Sequence, residues 1–121
     1  MKLEFLYTPI SDLREALALY RDGLGWEEAW REGESTVSLR LPGTDVQVML
    51  DLVEGQPGPD QRPGPVFVVD SVARFTAERP PGLHPCGEPT EIPGGFIATY
   101  EDPSGNPIYV MDQSTEGAGT V

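Results

Sequence analysis

Few side chains in this sequence could carry out chemistry, and the first group is a histidine and a cysteine. His84 and Cys86 lie two residues apart in a proline-flanked loop. An imidazole beside a thiol can activate it as a nucleophile, but such a pair needs a third group to orient the imidazole, and none is evident nearby. A lone histidine in a loop is typical of a surface position. We therefore assign this pair no catalytic role.

Carboxylates form the second group. They gather around a predicted second strand and near a later turn, at Glu27, Glu28, Glu32, Glu34, Glu101 and Asp102. A carboxylate that acts as a general acid or base needs a pKa raised by burial, and sequence does not reveal burial. An exposed acidic rim is the interpretation that we favour. We predict no catalytic residue among them.

Aromatic side chains form the third group. Trp26 and Trp30 lie four residues apart, so on one strand they would share a face. Other rings fall on other predicted strands, at Phe5, Tyr7, Phe96, Tyr100 and Tyr109. Phe5 and Phe96 are assigned to the core, whereas core packing and pocket lining suit Trp30 and Tyr109 equally well. Rings that face a common cavity would form a flat apolar pocket for a planar ligand, and nearby carboxylates would favour a cationic group on it.

The composition limits the partners and the compartment. The 121 residues have a formal net charge of −12, which repels phosphate and argues against nucleic acid and anionic membranes as partners. Cys86 is the only cysteine, so no internal disulfide or cysteine-based zinc cluster can form, and a reducing cytoplasm is expected. The first residues do not resemble a signal peptide, and no run of 18 apolar residues predicts a membrane span.

The elements that must position these side chains follow a clear order in the first half. Residues 3–10 predict a strand, and Ser11 or Asp12 can cap a helix of about three turns. Gly23 and Gly25 would end that helix. Alternating apolar residues then predict strands over 26–32, 36–41 and 46–52. In the second of these strands, Ser38 is expected to point outward.

The second half repeats the pattern. Residues 66–69 predict a strand, Asp70 or Ser71 can cap a helix that Pro80 ends, and strands follow over 95–101 and 107–112; residues 86–92 are a poor strand candidate. Leu13 and Val72 occupy matching places, 59 residues apart, which indicates an internal duplication. We predict an α+β domain over 1–113, made of modules 1–53 and 65–113. Residues 54–64 would form a Pro/Gly-rich linker, and 114–121 a flexible tail.

Two motifs carry a resemblance to a known family. The first runs Asp12-Leu13, Ala16-Leu17, Tyr20-Arg21 and Leu24-Gly25-Trp26-Glu27, and the second is YEDPSGNPIYV at 100–110. In this order they resemble the vicinal oxygen chelate superfamily, which includes glyoxalase I, bleomycin-resistance proteins and extradiol dioxygenases. The resemblance implies two βαβββ modules whose curved mixed sheets surround a cleft. The modules would pair either within one chain or by swapping between two chains.

The resemblance also implies where a metal would bind. Metal-dependent members present His, Gln or a carboxylate at positions that correspond here to Phe5, Pro63 or Gly64, Val48 and Tyr109. These residues cannot build a divalent site, which needs several nitrogen or oxygen ligands. We therefore expect neither a metal nor another cofactor. The predicted ligand-binding residues are Tyr7, Trp30, Glu32, Val48, Tyr100 and Tyr109.

Three functions follow from these observations. The first is a metal-independent protein that binds a small molecule, in the manner of the bleomycin-resistance branch, with a cationic aromatic antibiotic or metabolite as ligand and without catalysis. The second is a lyase, isomerase or dioxygenase of the same superfamily with an atypical site. The third is an interaction domain without a ligand. The resemblance also implies a homodimer.

Overall fold

The structure is a computed structural model that describes residues 1–114. The predicted tail over 114–121 lies outside the described residues, apart from Ser114.

Contacts divide the chain into two compact units: residues 4–63, termed the N-terminal unit, and residues 1–3 with those from 64 onward, termed the C-terminal unit. The elements are β1 (Lys2–Ile10), α1 (Leu13–Leu17), a π-helix (Ala18–Gly23), β2 (Glu28–Glu32), β3 (Thr36–Arg40), β4 (Gln47–Leu52), β5 (Gly64–Val68), α2 (Val72–Glu78), β6 (His84–Pro85), β7 (Thr90–Ile92), β8 (Gly95–Glu101) and β9 (Pro107–Met111).

The strands of the N-terminal unit lie in the order β2-β3-β4-β1. β3 runs antiparallel to both β2 and β4, whereas β1 runs parallel to β4. The register places Phe5 beside Gln47 and Tyr7 beside Met49. The first strand of this unit is therefore hydrogen-bonded to its last strand.

The C-terminal unit has the same connectivity. Its strands lie in the order β5-β9-β8-β6, and β7 also pairs with β8. The first strand, β5, runs parallel to the last, β9, with Val66 beside Tyr109, and β8 and β9 are antiparallel. Both units thus place their first strand parallel to their last. This confirms the predicted α+β class, in which parallel and antiparallel pairing are mixed.

The two helices begin where local sequence predicts. Asp12 is the N-cap of α1 and accepts a hydrogen bond from the Glu15 backbone N–H at 3.0 Å. Ser71 is the N-cap of α2 and accepts from the Arg74 backbone N–H at 3.2 Å. A cap side chain satisfies one of the N–H groups that the first helical turn leaves without a partner. Leu13 and Val72 are consequently the first residues of their helices, as the internal repeat predicts.

The first helix differs from the expected three regular turns. After Leu17 it widens into the π-helix, and the Leu24 N–H bonds the Leu19 carbonyl five residues earlier at 2.9 Å. Gly25 then adopts a φ of +78°, a left-handed conformation that ends the helix. The predicted stop is confirmed, but the change of helix type is not visible in the apolar spacing.

The strands also differ from prediction in several places, most clearly at β2, β5 and β7. β2 begins at Glu28 rather than at residue 26, because Trp26 stacks on Tyr20 with ring centroids 5.4 Å apart. Residues 90–92, within a segment judged a poor strand candidate, form β7 against β8. β5 starts at Gly64, inside the predicted linker, because its pairing with β9 supplies hydrogen bonds that composition does not reveal.

Each unit has its own apolar cluster between sheet and helix. Leu17 of α1 packs with Val37, Leu39, Val48 and Leu50 in the N-terminal unit. In the C-terminal unit, Val72 of α2 packs with Ala98, Tyr100 and Val110. No helix within residues 1–114 is long and apolar enough to cross a membrane.

Candidate functional site

The sheet of the N-terminal unit has one face packed on the helix and one face turned away from it. Side chains alternate between the faces of a strand, so Leu6, Val48 and Leu50 on the helix side place their neighbours on the other. We call this second side the distal face. Its side chains are Phe5, Tyr7, Trp30, Thr36, Ser38, Gln47, Met49 and Asp51. It combines three aromatic rings with a row of polar groups.

An aromatic pair occupies one part of the distal face. Phe5 and Trp30 meet edge to face, with ring centroids 5.9 Å apart and planes at 87°. Both rings are half-buried. Trp26 is not part of this pair: the register of β2 shifts between Glu28 and Trp30, and Trp26 packs against the helix-side cluster instead. The expectation that the two indoles share a face is therefore wrong.

Beside the rings, two polar side chains bond each other. Ser38 lies on the distal face and is fully buried, although its outward position predicted exposure. Its hydroxyl donates to Oε1 of Gln47 at 2.7 Å. Burying a hydroxyl without such a bond would be costly, so the bond accounts for a serine in this place.

A carboxylate organises the other part of the distal face. Asp51, near the end of β4, accepts at both of its oxygens: the Tyr7 hydroxyl donates to Oδ2 at 2.5 Å and the Thr36 hydroxyl donates to Oδ1 at 2.7 Å. All three residues are half-buried. The bonds join β1, β3 and β4. Asp51 and Thr36 were not among the predicted site residues.

The residues that correspond to the metal ligands of metal-dependent superfamily members are distributed over both units. Phe5 faces Gln47 across the β1–β4 pairing, and Val48, one residue along, is 6% exposed and packs on the helix side. In the C-terminal unit, a Cβ on Gly64 would lie 3.4 Å from the Tyr109 ring. Among residues 1–114, no group of three or more His, Cys, Asp or Glu side chains is placed to hold a metal ion.

The predicted tyrosines of the C-terminal unit occupy different faces of its sheet. Tyr100 is 1% exposed within the helix-side cluster, where its hydroxyl bonds that of Thr76 and its ring meets Phe75 at 5.7 Å. Tyr109 pairs with Val66 and lies on the side away from the helix, 3% exposed. The structure thus places Tyr7 and Trp30 together on the distal face, while Val48 and Tyr100 lie in helix-side cores.

Of the acidic side chains around β2, Glu28 is held by two arginines. Glu28 accepts from Arg31 at 2.8 Å and from Arg21 at 3.3 Å. The hydrogen bond from Arg31, joined by the weaker contact with Arg21, lowers the pKa of Glu28. A general acid would need the opposite shift. Glu32, a predicted ligand contact, is exposed at the end of β2.

The histidine and the cysteine of the later segment both lie beside Glu101 of β8. His84 is exposed on β6, beside Glu101 of β8. The Cys86 thiol donates to Oε1 of Glu101 at 3.0 Å. The thiol therefore bonds a carboxylate, which does not activate it as an adjacent imidazole would.

The turn of the second motif is explained by one carboxylate. Asp102 accepts from the backbone N–H groups of Ser104 and Asn106 and from the Asn106 side-chain amide, each at 2.9 Å. The bonds from Asn106 are the main cause of a lowered Asp102 pKa. Gly105 adopts a φ of +85° within this turn. The motif residues thus shape the β8–β9 connection.

Solved structures with the same fold are similar to the chain over most of its length. A Streptomyces coelicolor methylmalonyl-CoA epimerase in complex with 2-nitronate-propionyl-CoA has a TM-score of 0.70 and 16% identity, covering 94% of this chain and 95% of that one. A Mycobacterium tuberculosis methylmalonyl-CoA epimerase has a TM-score of 0.58 and 21% identity, covering 98% and 91%. A hypothetical protein, BH1468 from Bacillus halodurans C-125, has a TM-score of 0.67 and 15% identity, covering 92% and 93%. At these identities the likeness establishes the fold.

The sequence itself decides the family. No curated protein matches the chain closely enough to count as a relative. Residues 4–110, however, match the sequence profile of the Glyoxalase/Bleomycin resistance protein/Dioxygenase superfamily. The βαβββ connectivity of the N-terminal unit agrees with that fold, and so does that of the C-terminal unit, where β6 and β7 pair with β8 as one interrupted strand. The resemblance inferred from the two motifs is thereby confirmed, and the chain belongs to the Glyoxalase/Bleomycin resistance protein/Dioxygenase superfamily.

Proposed function

We propose that this chain binds a small cationic aromatic molecule without a metal, in the manner of the bleomycin-resistance branch of its superfamily. The distal face carries the proposal, because it holds the Phe5–Trp30 ring pair and, further along the same sheet, the Asp51 carboxylate. Rings bind planar apolar groups, and a carboxylate on the same face favours a positive charge on the ligand. We also propose that the protein forms a homodimer and that it works in a reducing compartment such as the cytoplasm.

Metal independence is supported by the residues at the β1–β4 pairing. The residue beside Gln47 is Phe5, whose ring supplies no lone pair. A divalent cation needs several nitrogen or oxygen ligands that converge on it. Gln47 supplies a single amide oxygen here, and that oxygen already accepts a hydrogen bond from Ser38. The absence of a cluster of three His, Cys, Asp or Glu side chains within residues 1–114 supports the same view.

Metal analysis tests this part of the proposal. Purified protein is incubated with Ni²⁺, Zn²⁺, Fe²⁺ or Mn²⁺, desalted and measured by mass spectrometry of the elements. We expect far less than one ion per chain. One tightly bound ion per chain that is lost when Gln47 is changed to Leu would contradict metal independence.

Tryptophan fluorescence tests the binding face. Trp26 stacks on Tyr20 in the core, so Trp26→Phe leaves Trp30 as the sole reporter. Titration of this variant with proflavine, berberine and 2-naphthylmethylammonium should quench its emission in a saturable way. The matched control, Trp30→Phe, keeps Trp26 and should show no saturable quenching. Equal quenching of both variants, or of neither, would contradict the assignment of the distal face.

An isomerase is the second candidate, because the fold matches methylmalonyl-CoA epimerases and the distal face pairs a carboxylate with a phenol. Such a pair could exchange a proton with a substrate carbon. Incubation of the protein with methylmalonyl-CoA in deuterated water, with and without Co²⁺, tests it by NMR. The binder proposal predicts no protein-dependent deuterium incorporation. Incorporation that Asp51→Asn abolishes would favour the isomerase.

A further inference from the structure

A recess of the N-terminal unit lies on the helix side of its sheet, away from the distal face. It is an open groove of about 480 Å³ between the first helix and the turn that joins β2 to β3. Ligand pockets in proteins have volumes of about 300–1,000 Å³. Leu13 and Leu17 supply apolar surface, and the groove is also lined by Arg14, Arg21 and Arg31. Apolar surface and positive groups thus meet in one place.

The arginines of the groove have hydrogen-bond donors that the fold does not use. Arg31 donates from Nε and Nη2 to Glu28. Arg21 donates from Nε to Asp22 and from Nη1 to Glu28. A guanidinium carries five N–H groups, so each of these two side chains has others left for a ligand. Arg14 is exposed and makes no side-chain hydrogen bond or ion pair with any residue in 1–114.

The charge around the groove differs from that of the whole chain. The lining contains two carboxylates, Asp22 and Glu34, and Glu28 pairs with two of the arginines, so positive and negative groups balance there. The chain as a whole has a net charge of −12 and only eight basic side chains, three of which line this groove. An anion that the rest of the surface repels therefore meets little net charge here, together with unused donors.

A π-helix forms one wall of the groove. Ala18, Arg21 and Asp22 belong to the π-helix and line the recess. π-helical turns are rare and occur frequently at functional sites. This irregular segment is an observation separate from the charges, and it favours a binding role for the side chains that it presents.

We propose that this recess, termed the arginine groove, binds a small apolar molecule that ends in a carboxylate. The leucines contact the apolar body, and the planar guanidinium groups match a carboxylate, which can accept two parallel N–H bonds. A phosphate monoester matches the same donors, but it carries more charge at neutral pH and the negative chain repels it more strongly. The arginine groove lies apart from the distal face, and its binding does not depend on the proposed function.

Three probes of similar shape test the ligand class on the wild-type protein by isothermal titration calorimetry at low ionic strength. They are 2-naphthoate, 2-naphthyl phosphate and the neutral 2-naphthamide. We expect 2-naphthoate to bind about tenfold more tightly than the amide, as charge-assisted bonds to arginine imply. It should also bind more tightly than the phosphate. Equal binding of acid and amide overturns the proposal, and a preference for the phosphate overturns the carboxylate assignment.

Arg14→Gln locates the bound acid. Since the Arg14 side chain bonds no residue in 1–114, its substitution leaves the fold intact. It should weaken 2-naphthoate about fivefold and leave 2-naphthamide within about twofold. Arg74→Gln is the matched control, because it removes the same charge from an exposed position on α2 in the other unit. An equal loss in both variants reports only the net charge of the protein and overturns the groove as the site.

Glu34→Gln gives a test of opposite sign. Glu34 is an exposed carboxylate of the lining, and its removal takes away a charge that repels the acid. We expect 2-naphthoate to bind about threefold more tightly to this variant. Glu91→Gln, at an exposed position of β7, is the matched control and should bind as the wild type does. Unchanged or weaker binding by folded Glu34→Gln contradicts the proposal.

Trp30→Phe distinguishes the arginine groove from the distal face. It alters the ring pair of the distal face and leaves the lining of the groove as it is. It should bind 2-naphthoate as the wild type does. A clear loss of binding would place the acid on the distal face and overturn this inference. Failure of the cationic probes to bind would affect only the proposed function.

Discussion

Asp112, at the end of β9, is the carboxylate with the clearest structural role. It is 1% exposed, and burial alone would raise its pKa. Hydrogen bonds from the backbone N–H groups of Val72 at 2.6 Å and Phe96 at 2.9 Å, together with bonds from Ser114, outweigh burial and lower the pKa. The carboxylate thereby joins the start of α2 to the start of β8.

The lowered pKa makes part of the stability dependent on pH. A carboxyl whose folded pKa lies below its unfolded value stabilises the fold above the unfolded pKa, about 3.9, and loses this contribution as the pH falls through the folded pKa. We predict that Asp112→Asn lowers the free energy of unfolding by about 2 kcal/mol at pH 7, since bonds to a charged acceptor are lost. Urea unfolding of the wild type and of Asp112→Asn, at pH 7 and near pH 3, measures this difference in the free energy of unfolding.

The loss caused by Asp112→Asn should shrink near pH 3, which lies below the unfolded pKa, because the unfolded chain then takes up a proton that the folded state binds less readily. Asp60→Asn is a matched control, because Asp60 is exposed and should give no comparable loss at either pH. A loss that is the same at pH 7 and pH 3 would indicate that the side chain acts through packing and not through its charge.

Individual residues also show the limit of reading the site from sequence. Tyr7 and Trp30 could be named because aromatic residues on predicted strands are visible in the sequence. Asp51 could not, because its partners Tyr7 and Thr36 are 44 and 15 residues away and meet it only through the strand register. The sequence did hold one signal. Asp51 lies between Leu50 and Leu52 on a predicted strand, so its side chain points to the face opposite these two apolar residues.

At the scale of elements, local sequence signals predict where the helices begin, whereas tertiary contacts decide the helix type and the strand boundaries. Both helices begin at the predicted cap residues, since a cap and the N–H groups it satisfies lie within four residues of sequence. No periodicity reveals the π-helix or the late start of β2, where Trp26 stacks on Tyr20 ahead of the strand. The repeated order of elements was visible in the sequence, whereas the mixed sheets were expected only from the family resemblance.

The start of β8 depends on a glycine that almost touches β9. A Cβ built on Gly95 would lie 2.2 Å from the Asp112 carbonyl oxygen, far inside contact distance. Gly95→Ala should therefore force the two strands apart and destabilise the protein by about 3 kcal/mol or more. Thermal unfolding followed by circular dichroism measures the effect.

Gly82→Ala is the control for this strand contact. A Cβ at Gly82 would meet only Cγ of Pro103, at an ordinary 3.8 Å, so its substitution should change stability by no more than about 0.5 kcal/mol. If Gly95→Ala melts within a degree or two of the wild type, β8 and β9 adjust more easily than the close approach implies.

At the scale of the whole molecule, the dominant property is charge. The net charge of −12 arises from 20 acidic and eight basic side chains, and some of the basic side chains are already engaged, as Arg21 and Arg31 are with Glu28. Such a charge draws cations toward the protein and repels a second copy of it. Both effects are screened by salt, but with opposite consequences for ligand and for dimer.

The predicted homodimer should therefore tighten as salt is added. Two chains that each carry −12 repel over a Debye length of about 30 Å at 10 mM salt, and of only about 8 Å at 150 mM. Sedimentation velocity at micromolar concentration should give twice the 13.2 kDa chain mass at 150 mM salt, and a larger monomer fraction at 10 mM. A mass of 13.2 kDa throughout would contradict the dimer. A dimer that is strongest at 10 mM would show that opposite charges, and not apolar contact, hold it together.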